Sequence, residues 1–63
     1  MEKYVIYKDL WGYKVTTEIN YNSRIMDARK IIKLNDCENI GDAVALVKMF
    51  SHVTDEQIII KGD

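Results

Sequence analysis

The sequence predicts a small α+β domain. Three patterns predict it: two strand-like runs around a turn at the start, apolar residues at helical spacing over 40–52, and an Ile-rich run near the end. At 63 residues the chain has room for one domain, covering 1–63, and not two.

The first run is Lys3 to Lys8. It is β-branched and aromatic and carries no helix start signal, so it reads as a strand over 3–8. Tyr4 and Ile6 share one side, Val5 and Tyr7 the other, and both sides carry apolar weight. Asp9, Leu10, Trp11 and Gly12 read as a turn. Asp bonds readily to nearby backbone, and Gly12 can take a positive φ.

Residues 13–21 alternate without a break. Tyr13, Val15, Thr17, Ile19 and Tyr21 fall on one face, and Lys14, Thr16, Glu18 and Asn20 on the other. A period of two predicts a half-buried strand, paired antiparallel with the first as a hairpin.

Residues 24–34 support two readings. As a helix, Asn22 or Ser23 caps the start and Ile25, Ala28, Ile31 and Ile32 share a face. As a strand, Lys30 to Leu34 turns Ile32 and Leu34 inward. A short helix near 24–29 followed by a strand at 30–34 combines the two. Short apolar runs alone do not separate them.

The spacing predicts an amphipathic helix over 40–52, packed on the sheet through Ile40, Ala43, Val44, Val47 and Phe50. Asn39 is its expected N-cap, with Asp42 three residues on. The outer side holds Gly41, Asp42, Lys48 and His52 but also Ala45 and Met49. That thin polarity suggests a second contact. The last run, 57–61, has three consecutive Ile residues and reads as an interior strand with both faces apolar. With 30–34 as a strand, strand–helix–strand makes a crossover with parallel pairing.

Composition narrows the function. Nine Lys and Arg against ten Asp and Glu leave a net charge of −1. The split is uneven. Residues 1–32 hold six bases and four acids, net +2, and residues 33–63 hold three bases and six acids, net −3. That balance is too neutral for a mainly electrostatic nucleic-acid binder or a DNA mimic. No run approaches the roughly 20 apolar residues of a membrane span, and no signal-peptide pattern is visible. One Cys cannot form an internal disulfide. It fits a reducing cytoplasm, the expected location. A domain this small buries only about 60% of its unfolded surface, so association with a partner is a natural stabiliser.

Chemistry is scarce. The glycines are scattered, and no phosphate-binding loop motif occurs. Asp36, Glu38 and Asp42 fail as a calcium loop starting at Asp36. Ile40 falls where its fifth ligand should be, and Val47 where its closing Glu should be. Cys37 and His52 flank opposite ends of the expected helix, about 20 Å apart, beyond thiol–imidazole contact. Cys37 reads as a half-buried small apolar residue, and His52 as a C-terminal cap. No catalytic, metal or cofactor residue is expected, and the protein reads as no enzyme.

Residues 30–60 run strand, Asn/Asp loop, helix and Ile-rich strand, and in that order resemble half of an HPr-like phosphocarrier. The family's active His, followed by Arg at a helix N-terminus, has no counterpart. His52 stands at the other end of the helix. That departure removes the ground for phosphocarrier activity, and no membership follows.

What remains is aromatic. Tyr4, Tyr7, Trp11, Tyr13 and Tyr21 lie in the first 21 residues, interleaved with Lys3, Lys8 and Lys14. Packing in the core accounts for several of them. Trp11, at a hairpin tip, is hard to bury. Tyr and Trp rings give large contact area at low entropy cost, which suits protein binding. The expected function is therefore a non-enzymatic protein-binding module. The expected contact residues are Trp11, Tyr7, Leu10, Lys8, Lys14 and Met49. Size and an Ile, Lys, Asn, Asp and Tyr bias point to a regulator or inhibitor from a bacterium, phage or mobile element. The alternative is single-stranded nucleic-acid binding by the same hairpin, with aromatics stacking bases and lysines following phosphates, a less favoured partner. Self-association as a homodimer is expected through a strand edge or through Ala45 and Met49.

Overall fold

The computed structural model describes residues 2–61. It is an α+β fold with a four-stranded mixed sheet and one main helix. Strand β1 (Tyr4–Asp9) pairs antiparallel with β2 (Gly12–Thr17), with Ile6 opposite Val15 and Asp9 opposite Gly12. Helix α1 (Glu18–Tyr21) is one turn, and a 3-10 turn follows at Ala28–Lys30. Strand β3 (Ile32–Leu34) adds antiparallel to β2. Helix α2 (Ile40–Ser51) crosses the sheet, and a second 3-10 turn (Asp55–Gln57) leads into β4 (Ile58–Lys61). The strand order is β3-β2-β1-β4.

The hairpin forms as expected, but its second strand stops four residues early. Thr17 turns from strand into N-cap, and its hydroxyl accepts the Asn20 N–H at 3.1 Å. Alternation continues through 21 because a single helical turn is too short to break it. Tyr21 consequently packs beside Tyr7, with ring centroids 5.3 Å apart, and not on the Tyr13 face.

Both faces of the sheet are covered. On one, Ile6, Val15 and Leu34 meet Ala43 and Val47 of α2, with Tyr4, Tyr13, Cys37, Ile40, Val44, Leu46, Val53 and Ile58 around them. On the other, Val5 and Thr16 are buried under α1 and the segment that follows it. Asn20 fastens that segment. Its amide donates to Thr16 Oγ1 at 2.8 Å and to the Asp27 carbonyl at 3.1 Å, and its oxygen accepts the Asp27 N–H at 2.9 Å. Thr16 in turn donates to the Lys30 carbonyl at 3.0 Å. Each buried polar atom thus has a partner, which burial requires.

Segment 24–34 resolves into the 3-10 turn and then β3, in the order expected but shorter. The caps are Thr17 and Asp27, not Asn22 or Ser23. Asp27 accepts the Arg29 N–H at 3.0 Å. Leu34 points inward as expected. Ile32, on the outermost strand, stays 59% exposed and lies outside the core cluster.

Helix α2 matches the prediction within a residue. Asn39 caps it by accepting the Asp42 N–H at 2.9 Å, and His52 ends it in the left-handed region at φ 52°. Phe50 departs from expectation at 71% exposed. It lies on the Ala43–Val47 stripe, but the last helical turn runs past the core cluster, and Leu46 and Val53 fill that end instead.

The final strand forms at 58–61, at the edge of the sheet and not in its interior. It pairs parallel with β1, Tyr4 opposite Ile58 and Ile6 opposite Ile60. The expected pairing of 30–34 with 57–61 is also absent. α2 carries the chain across the whole sheet, leaving β3 and β4 at opposite edges. The hairpin strands take the centre, where both faces of the sheet are covered: β1 is apolar on both, and β2 buries Thr16 on its polar face through hydrogen bonds.

Candidate functional site

The hairpin tip is built from Asp9 upward. Asp9 Oδ1 accepts the Trp11 N–H at 2.8 Å, closing a side-chain-to-backbone turn over Leu10. Its other oxygen is ion-paired with Lys14 Nζ. Leu10 and Trp11 both have negative φ, so the tight turns that match strand twist are excluded. Gly12 supplies the correction at φ 120°. The Lys14 ammonium then lies 5.4 Å from the Trp11 ring centroid, a cation–π contact. The lysine and the backbone amide beside Asp9 hold its carboxyl below the usual carboxylate range.

The result is a braced turn that presents two apolar side chains. Leu10 is 92% exposed and Trp11 81%. Of the other expected contact residues, only Lys14 joins this group. Tyr7 is half-buried, against Tyr21 and with its hydroxyl 3.9 Å from Met26 Sδ. Burial, the foremost cause, raises its phenol pKa. Lys8 lies on the opposite face of the sheet, 5.4 Å from the Tyr13 ring. Met49 is exposed on α2, which also packs on that opposite face. Asp9 is the contributor missing from the sequence-based set. Its signal was present, as an Asp opening a turn five residues before a Lys.

The remaining chemistry is spread out. Cys37 packs at the edge of the core, and burial, helped by Asp42 and Asp36, raises its thiol pKa. His52 closes the far end of α2. A groove of about 500 Å³, open to solvent, is lined by Lys3, Thr54, Glu56 and Gln57. Among the described residues no three His, Cys, Asp or Glu side chains gather as a metal site. No helix among the described residues is long and apolar enough to cross a membrane. Comparison of the chain with protein-family models, with curated proteins and with solved structures finds no match.

Proposed function

We propose that the protein is a small non-enzymatic binding module that docks another protein through Leu10 and Trp11. The carrying observation is that these two side chains stand in solvent on a turn held by the Asp9–Trp11 bond, the Asp9–Lys14 ion pair and the Lys14–indole contact. A large apolar pair on a pre-ordered turn loses little entropy on docking, which is what an interface anchor requires. A role as cytoplasmic regulator or inhibitor, of bacterial, phage or mobile-element origin, suits a module of this size.

The electrostatics favour a protein over a nucleic acid. Lys14 is already paired with Asp9, and Lys8 stacks on the other face, so the hairpin lysines make no continuous track for phosphates.

Affinity capture from source cells, with wild type and Trp11→Ala as baits, tests the proposal. The specific partner should bind the variant ~30-fold more weakly, as for a hot-spot truncation of about 2 kcal/mol. Equal capture by both baits, with unchanged circular dichroism, refutes it. Quenching of Trp11 by single-stranded oligonucleotide that weakens as salt rises would establish the nucleic-acid reading instead.

A further inference from the structure

We infer that the β4 edge is a self-pairing surface, and that a second copy of this chain adds to it antiparallel to form a continuous eight-stranded sheet. The two outer strands of the sheet are protected very differently. β3 is three residues long with Lys33 at its centre, the short, charged form that discourages pairing. β4 is longer and has no charge from Ile58 through Ile60. Ile60 is 53% exposed on the α2 face, and Ile59 is half-buried on the other. The outward N–H and C=O groups of β4 have no strand beside them among the described residues.

A strand edge requires a strand, and this one is complementary to itself. Glu56 stands just before it, beside an Asp55 that is already ion-paired with Lys48, and Lys61 is its last residue. Antiparallel pairing of two copies brings each Lys61 towards Glu56 of the other; parallel pairing would set like charges side by side. A two-fold axis perpendicular to the sheet also restricts the register. Directly opposed residues must point to the same face, so only like-parity pairs are allowed. The register with the fullest overlap places Ile59 opposite its own copy on the axis. Ile58 then faces Ile60 on the α2 side, and Lys61 faces Gln57. The pairing covers the exposed Ile60 side chains with apolar neighbours. Since β4 runs parallel to β1, the two hairpin tips would point in opposite directions. The shared edge is only about 13 Å long, short of a standard interface, so the dimer belongs at high micromolar concentration.

Sedimentation velocity from 10 µM to about 1 mM (on the order of ordinary stock concentrations) reads this out. A mass rising from 7.4 kDa towards twice that value is expected. Ile59→Lys, which sets two like charges against each other on the axis, should hold the protein monomeric. Trp11→Ala should leave the mass unchanged, which separates this surface from the docking tip. Should Ile59→Lys fail to fold, a cysteine pair carries the test. In a Cys37→Ser background, Ile59→Cys should cross-link under mild oxidation faster than Ile60→Cys. Opposed residues lie ~5 Å apart between Cβ atoms, and diagonal ones 7–8 Å. A monomer at every concentration, a dimer indifferent to Ile59→Lys, or cross-linking no faster at 59 than at 60 overturns the inference.

Discussion

His52 is the one non-glycine residue with positive φ among the described residues. Its backbone N–H reaches the Lys48 carbonyl, as a C-terminal cap should, but a side chain in that conformation is strained. His52→Gly should therefore stabilise the protein by about 1 kcal/mol, read as a higher midpoint in urea with unchanged slope. Asp9 gives a pH prediction at the same scale. Its folded pKa is lowered, first by the Lys14 hydrogen bond and then by the Trp11 amide. The contribution of the pair is therefore complete above the ordinary carboxylate value, near ~3.9, and is lost as pH falls through the lowered folded value. Trp11 emission should change in that acid window as Lys14 loses its brace, before far-UV circular dichroism does. Asp9→Asn should abolish the acid step, and its persistence would mean that another carboxyl governs the tip.

Among the elements, segment 20–30 depends most on a single side chain. It has little apolar burial of its own. Ile25 is exposed, and Ala28, Arg29 and Lys30 lie on the surface. Asn20 holds it by bonding both backbone groups of Asp27. Asn20→Asp removes both amide donors and points a carboxylate at a carbonyl. A loss of about 2–3 kcal/mol is expected, with proteolytic cleavage appearing first within 21–30. Uniform loss of protection across the sheet would show that the segment is not a separate unit. The same residues explain an error of reading. Alternation through 13–21 is real, but Thr17 is equally a strand former and a helix cap, and a four-residue helix leaves no periodicity of its own. Phe50 misled differently. Its angular position on α2 was right, and whether anything lies beneath it depends on where the core ends.

For the whole molecule, the sheet order decides which parts are left open. With both hairpin strands central, the tip projects from the middle of the sheet, braced from below, and the Ile-rich strand is left outermost. The docking proposal belongs to the tip and the pairing inference to the edge. They are separable because Trp11 and Ile59 lie on different parts of the molecule.

Local patterns sufficed for the hairpin, the Asn39 cap, the extent of α2, the final strand and the solvent position of Trp11, because each depends on neighbours within a few residues. Strand order, the exposure of Ile32, Phe50 and Ile60, and the Asn20 clasp were decided only in three dimensions. They depend on which distant segment covers which face, and periodicity reports that a face is apolar without naming what will cover it.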